Sequence, residues 1–525
     1  MARAQREVTA VPEREQWSGQ VGFILSALGS AVGLGNIWRF PGVAYESGGG
    51  AFLIPYLVAL VTAGIPILFL DYAIGHRFRG SAPLALRRLG GKLGEGLGWF
   101  QVLISVFIAI YYTAVLAWSS SYFVFSWDLR WGDDPTAFFT GDYLHAADST
   151  TAPFTLEYMP AVAIPLAIMW IVTLGILAAG VVKGVQRANV IIIPLLVLAF
   201  LTIVIYSLTL PGAAQGLDEF FTPEFAALAD PNVWIAAYSQ IFFSLSVAFG
   251  IMITFASYRK RRSNMTGAGL VVAFGNSSFE ILAGIGVFAT LGFFAFQQGV
   301  AVGDLEGLTG VGLAFMTFPA IVSEMPGGEW VGALFFGSLT LAGLTSLISI
   351  LEVIIAALRD KFALTRAQAV LGFGGALAVV SMVLFGSTSG LTALDTVDNW
   401  ANNVGIVGSA VAMSVIVLWV RRRGRELAGH LSALSTFRVG RLWTFFTAVL
   451  APAVLAYMLV TKIIDLFVNG YGGYPTWYLG VAGWGSVLIM IVGALVLPQR
   501  RWRHDPDRFE AWPTDAQLNL KGGAR

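Results

Sequence analysis

The chain has no cysteine, only four histidines, and charged side chains at 12% of its 525 residues. Without cysteine there is no disulfide, no thiolate metal site and no cysteine nucleophile. Soluble domains carry roughly 25% charged residues, so a chain with half that share and 56% hydrophobic residues reads as a polytopic membrane protein. The formal net charge of +1 says nothing about nucleic acid, and no basic, aromatic-rich stripe suggests it. Neither HExxH nor a nucleophile-elbow GxSxG stands in a plausible context, so no integral-membrane enzyme and no catalytic residue are expected. Residues 1–20 are charged and polar, which predicts an N-terminal segment without a cleaved signal peptide.

What the chain does have is long apolar runs. Twelve spans begin near residues 21, 50, 97, 160, 188, 233, 268, 330, 367, 395, 441 and 476, each long enough to cross a bilayer as a helix. The loops between them alternate in charge. Arg77, Arg79, Arg87, Arg88 and Lys92 follow span 2, Arg259 to Arg262 follow span 6, and Arg421, Arg422, Arg423 and Arg425 follow span 10. The intervening loops carry Asp133, Asp134, Asp142, Asp218, Glu219, Asp304 and Glu306. The positive-inside rule then places both termini in the cytoplasm. Segments 222–234 and 312–324 read as short helices over the outer mouth. The tail 500–525 is expected to be solvated and partly disordered.

The first span is irregular. Within 21–45 it holds Gly29, Gly33 and Gly35 in seven residues, then Asn36, Arg39 and Pro41. Each glycine weakens a helix, so two half-helices joined by an unwound turn near 32–35 are predicted. Backbone groups freed in a medium without water cost several kcal/mol each, and an ion with an anionic solute would satisfy them. Span 6 repeats the signal with Ser244, Ser246 and Gly250 at mid-membrane. Its place, five spans after the first, suits an inverted repeat with a site where the halves meet.

Sodium takes oxygen ligands. The membrane-depth oxygens singled out are Asn36, Ser244, Asn276, Thr345 and Ser346. For any single hydroxyl the competing reading is a bond back to its own helix or a bridge between helices. Buried Asn36 beside an unwound turn fits that reading poorly.

The run GSAVGLGNIWRFP at 29–41, followed by Gly48, Gly49, Gly50, Ala51 and Phe52, resembles the first two membrane helices of the neurotransmitter:sodium symporter family, which includes the bacterial leucine transporter and the serotonin, dopamine and GABA transporters. The resemblance implies an all-α integral membrane protein with 12 transmembrane helices. It implies the 5+5 inverted repeat of the leucine-transporter fold, with helices 1 and 6 broken. The core would span 21–422 (repeats about 21–211 and 233–422), and spans 11 and 12 would occupy 423–499.

The same resemblance implies two sodium sites. The first would use the carbonyls of Ala31 and Ser244, the Ser244 hydroxyl, and the amide oxygens of Asn36 and Asn276, completed by the substrate carboxylate. The second would use the carbonyls of Gly29, Val32 and Ala342 with the hydroxyls of Thr345 and Ser346. The carboxylate would rest on the N–H groups of Leu34 and Gly35 and on the Tyr112 hydroxyl, at a half-helix N-terminus. Gly33 stands where monoamine-transporting relatives have aspartate, which favours an amino acid. Ile108, Phe243, Phe249, Ile350 and the unwound Ser246, Val247 and Ala248 would form an uncharged pocket, with Ser346 beside it. Ala248 stands where amino-acid-transporting relatives often have glycine.

Charge at membrane depth is costly. Arg39 and Asp398 match the family's extracellular gate, with Phe243 as its lid, and Arg14, Trp17, Tyr258 and Asp360 match the cytoplasmic gate. Glu280 stands where chloride-dependent relatives have serine. It is expected to replace chloride, and to take up a proton when sodium leaves. Glu352 and Asp71 are expected to be structurally paired.

These features together predict a sodium-coupled symporter, not an enzyme, importing a neutral, hydrophobic amino acid by alternating access. Its partners would be the amino acid, about two sodium ions and the bilayer of a bacterial inner membrane, with no chloride requirement and no nucleic acid. Alternatives are an osmolyte or GABA-like solute, or a non-transporting amino-acid sensor. Two matched gates argue against the sensor.

Overall fold

The computed structural model describes residues 14–305, 310–514 and 517–518. Glu306 and residues 1–13 lie outside them. Ten continuous helical stretches among the described residues are long and apolar enough to cross a bilayer, from Gly50–Phe78 to Thr476–Gln499. Span 1 is a pair, Gln20–Ala31 and Gly35–Glu46, bent by 54°. Span 6 is Pro231–Ser244 and Ile251–Ser257, each too short to cross alone. The twelve-helix, all-α architecture is therefore present, with both breaks where the sequence places them.

Burial sorts the spans into centre and rim. Span 8, Gly328–Phe362, is 94% buried over its apolar window and span 3, Ala82–Asp128, is 78% buried. Spans 4, 11 and 12 (Pro160–Ala178, Arg441–Val468 and Thr476–Gln499) are each 28% buried. A helix apolar all round but little buried faces lipid. Spans 3 and 8 pack along each other and form the wall against which the two broken spans lie. Span 3 continues an amphipathic lead-in, broken from it at Gly91, whose φ of +65° needs a glycine. Hence the helix begins at Ala82, well before the apolar run near 97.

The outer segments agree in part. Gly310–Glu324 is helical, as read. Of 222–234, only a single turn at Phe225–Ala229 forms before Pro231 opens span 6. An unforeseen helix, Gly424–Ser432, packs on the end of span 2 through Arg77 to Glu426 (2.5 Å) and His76 to His430 (3.0 Å).

Residues 500–514 of the tail are exposed or half-buried apart from Pro513, and 515–516 and 519–525 lie outside the described residues. Residues 500–513 pack along the face that carries the basic loops. Arg88 Nε donates to Pro506 O at 2.7 Å and Arg77 Nη1 to Pro513 O at 2.9 Å. Phe509 meets Phe78. Lys361 Nζ lies 4.7 Å from the Trp502 ring centre. The aromatic residues of the tail thus cover long basic side chains, a role its polar composition hides.

Beneath Trp502 sits a buried charge cluster. Lys361 Nζ is 2.5 Å from Glu95 Oε1, with both side chains fully buried, and Arg87 Nη1 is 2.7 Å from Glu95 Oε2. Removing one partner of a buried pair costs about 3–5 kcal/mol because the other charge is left bare. Glu95→Gln is expected to lower the apparent melting temperature of the purified protein clearly. The double variant Glu95→Leu/Lys361→Met should recover much of the loss, as thermal unfolding followed by tryptophan fluorescence would show.

Candidate functional site

Two breaks in helices inside an apolar body leave backbone groups that need partners, and side chains from intact spans supply them. In span 1, Val32 N–H closes the first half-helix on Leu28 O at 2.6 Å. Gly33 N–H donates to Asn36 Oδ1 at 2.9 Å and Leu34 N–H to the Tyr112 hydroxyl of span 3 at 3.3 Å. Ser30 O accepts from Ser246 Oγ (2.9 Å) and Ser346 Oγ (3.3 Å), and Gly29 O also accepts from Ser346 Oγ at 3.3 Å. In span 6, Ala248 N–H donates to Asp71 Oδ2 of span 2 at 2.9 Å. Ala248 O accepts from Ser409 Oγ at 2.5 Å and Phe249 O from Ser105 Oγ at 3.0 Å. Ser246 and Ala248 hold φ of +53° and +65°, which costs a non-glycine residue on the order of 1–3 kcal/mol.

The residues expected at the first sodium site meet. Asn36 Nδ2 donates to Asn276 Oδ1 at 2.8 Å, and Asn276 Nδ2 donates to Ser244 Oγ. Each amide oxygen thus carries one hydrogen bond and keeps a second lone pair. All three residues are buried. Four residues on from Asn276, fully buried Glu280 accepts from the Tyr56 hydroxyl and from Gln240 Nε2, the latter at 2.6 Å. Of those at the second site, Ser346 reaches across to Gly29 O. The Thr345 hydroxyl donates back to its own helix, to Ala342 O at 2.9 Å.

A pocket of about 40 Å³ lies between the breaks. Its lining includes Ala31, Gly33, Gly35, Asn36, Ile108, Tyr112, Phe243, Ser244, Ser246, Phe249, Ser346 and Ile350. Val247 and Ala248 were expected in its wall and do not line it, while Leu34, expected to offer its backbone N–H, places that group on the Tyr112 hydroxyl. Leu34 faces the vestibule above, Val247 is packed in the core, and Ala248 turns its backbone to Asp71 and Ser409. A Cβ on Gly33 would stand 2.7 Å from Ser346 Oγ and 3.1 Å from the Tyr112 hydroxyl, so a side chain here would push Ser346 or Tyr112 aside. Gly35 holds the Phe243 ring against the backbone in the same way.

The vestibule, about 550 Å³, opens toward the acidic loops and shares Gly35, Tyr111, Tyr112, Phe243 and Asn402 with the pocket. Arg39 lies over the Phe243 ring at 4.5 Å and donates to Ser239 Oγ at 3.2 Å. Asp398 accepts from Asn402 Nδ2 at 2.7 Å. Both line the vestibule without a direct ion pair between them.

The opposite side is shut. Arg14 Nη1 grips both oxygens of Asp360, at 3.0 and 2.9 Å, and Nε donates to Ser257 Oγ at 2.9 Å. Its guanidinium stands 4.9 Å above the Tyr258 ring. Trp17 donates its indole N–H to Phe255 O and its backbone N–H to Tyr258 O. Tyr258 donates to Glu352 Oε1 at 2.7 Å, and Arg366 pairs with Glu352 Oε2 at 2.6 Å. Glu352 is thus ion-paired, whereas Asp71 serves a backbone N–H. Burial pushes the Glu15 carboxyl up, but Arg366, the Val181 N–H and Arg359 outweigh it and hold the group below its ordinary range. Its contribution is therefore full above pH 4.5 and is lost only as pH falls through that lowered value.

Sequence reasoning missed Tyr111, Asn402 and Ile406 in the pocket wall, and Tyr56 and Gln240 around Glu280. Three asparagines at 399, 402 and 403 inside an apolar span were the available signal for Asn402.

A twelve-helix body with two stitched breaks, closed on one side and open on the other, defines an ion-coupled membrane transporter. The chain matches the sodium:neurotransmitter symporter family model over residues 14–152 and 133–503, and it belongs to that family. It is 38% identical to a sodium-dependent transporter of Methanocaldococcus jannaschii over 93% of this chain and 96% of that protein. It is 31% identical to the bovine sodium- and chloride-dependent GABA transporter 2, over 91% and 85%. The solved structure of MhsT in complex with L-phenylalanine matches with a TM-score of 0.72 and 32% identity, covering 86% of this chain and all of that one. The protein is a sodium-dependent symporter.

Gly33→Ala is expected to reduce sodium-dependent solute binding at least about tenfold while the fold persists. Equilibrium binding checks the first point and thermal unfolding the second.

Proposed function

We propose that the protein imports a neutral, hydrophobic amino acid with two sodium ions, independently of chloride, across a bacterial inner membrane with both termini cytoplasmic. The observation that carries the substrate class is the wall of Ile108, Phe249, Ile350 and Ile406, which holds no ionised side chain. The likeness to MhsT, solved with L-phenylalanine, supports it. The substrate carboxylate would lie at the Leu34 N–H and the Tyr112 hydroxyl and complete the first sodium site with Ala31, Asn36, Ser244 and Asn276. Gly29, Val32, Ala342, Thr345 and Ser346 would hold the second ion. Each inward charge gains about 2.3 kcal/mol per 100 mV of membrane potential, so two ions with a zwitterion concentrate the solute steeply.

Spans 1, 2, 6 and 7 would rock against spans 3, 4, 8 and 9. Arg39, Asp398 and Phe243 would close the outer side as the contact of Arg14, Trp17, Tyr258 and Asp360 opens. Glu280 would supply the negative charge that chloride supplies elsewhere, and would carry a proton outward on the return step. Its burial against Tyr56, Gln240 and the Asn276 neighbourhood supports that role.

A second reading is favoured by one observation. Proteins named for GABA and taurine are among the relatives. On this reading the solute would be a small osmolyte or a GABA-like molecule.

Labelled leucine, tryptophan, alanine, GABA and taurine, tested on purified protein in sodium chloride, sodium gluconate and potassium chloride, separate these readings. Leucine or tryptophan binding in both sodium salts and none in potassium is the expected outcome. Binding of GABA or taurine alone would replace the substrate, and loss in gluconate would overturn the role of Glu280. Glu280→Ser should create a chloride requirement in proteoliposome uptake.

A further inference from the structure

Asn402 sits one helical turn from Asp398 on span 10 and lines both the pocket and the vestibule. Its amide orientation is fixed by chemistry. A carboxylate accepts and does not donate, so the atom 2.7 Å from Asp398 Oδ1 is Nδ2. The same nitrogen faces the Tyr111 hydroxyl at 3.4 Å. Oδ1 is therefore the other end of the group, and it has no hydrogen-bond donor among the described residues, in a side chain only 6% exposed.

The pocket wall offers Oδ1 little. Ile108, Phe249, Ile350 and Ile406 carry no donor. The hydroxyls of Ser246 and Ser346 are both committed to Ser30 O. Asn399 and Asn403, by contrast, line the vestibule, and the Asn399 amide oxygen is taken by Asn403 Nδ2 at 2.7 Å. Asn402 brings an acceptor without a donor to a wall that also carries the unpartnered hydroxyl of Ser30. A buried amide oxygen without a donor is costly, and a site built to bond a substrate O–H or N–H strongly rejects the analogue that lacks it.

We infer that Asn402 is a specificity-determining residue whose Oδ1 accepts a hydrogen bond from the substrate's side chain. The preferred hydrophobic amino acid is then one bearing a single donor on an apolar body, such as tyrosine or tryptophan. This rests on the reading of the substrate as a hydrophobic amino acid. The carboxylate end is held at Leu34 and Tyr112, and the side chain runs toward span 10.

The test is displacement of labelled leucine from the purified full-length protein, in sodium chloride, by tyrosine and by phenylalanine, which differ by one hydroxyl. Tyrosine should displace at about tenfold lower concentration or better. In Asn402→Leu and Asn402→Ala that ratio should collapse toward one, while Asn403→Leu keeps the wild-type ratio. Phenylalanine matching or beating tyrosine on the wild-type protein overturns the inference, and needs no variant to fold. So does a ratio that survives both Asn402 variants. Absence of sodium-dependent binding of leucine, tyrosine and phenylalanine alike would overturn the hydrophobic-substrate reading itself, a result distinct from an unfavourable ratio.

Discussion

Everything in this molecule depends on satisfying opened backbone where there is no water. An unbroken helix meets its own hydrogen bonds; spans 1 and 6 do not, and in hydrocarbon each orphan would cost several kcal/mol. The solution is a set of short polar side chains on intact neighbours, namely Asp71 on span 2, Ser105 and Tyr112 on span 3, Ser346 on span 8 and Ser409 on span 10. Each donates to or accepts from a backbone group at a break. The intact spans are thereby registered against the broken ones, and the places left over are where ions and solute can bind.

The two sides of the site are built from different chemistry. The side bearing the basic loops is held by bidentate and stacked arginine contacts, Arg14 on Asp360 and over Tyr258, backed by Arg366 on Glu352. These are directional, short and partly shielded from water, the conditions under which charge pairs hold. The acidic side has no such pair between Arg39 and Asp398. Arg39 rests on Phe243 and Ser239, and Asp398 on Asn402. One side is held shut by these contacts while the other leaves a vestibule, an asymmetry of the kind alternating access uses.

The tail shows how composition misleads. Residues 500–513 are rich in arginine, aspartate and proline, which reads as solvated chain. The same stretch carries Trp502 and Phe509, and these cap Lys361 and Arg88. Aromatic faces over cations in a partly dry setting outweigh the polar average.

The sequence by itself determined the membrane class, the number and order of spans, and the two breaks. Hydrophobic run length and clustered glycines are local properties that read directly along the chain. Asn36, Asn276 and Ser244 were legible as mid-membrane oxygens because polar groups stand out in apolar runs. Asn402 lay in the same kind of run and was passed over, since nothing local told which face of span 10 it occupied. Only the tertiary structure decided that Asp71 serves a backbone N–H of span 6 while Glu352 takes an arginine. It alone showed that Val247 and Ala248 leave the pocket wall and that Asn402 joins it. Those outcomes depend on how helices far apart in sequence rotate and pack against one another, and no local pattern records a rotation.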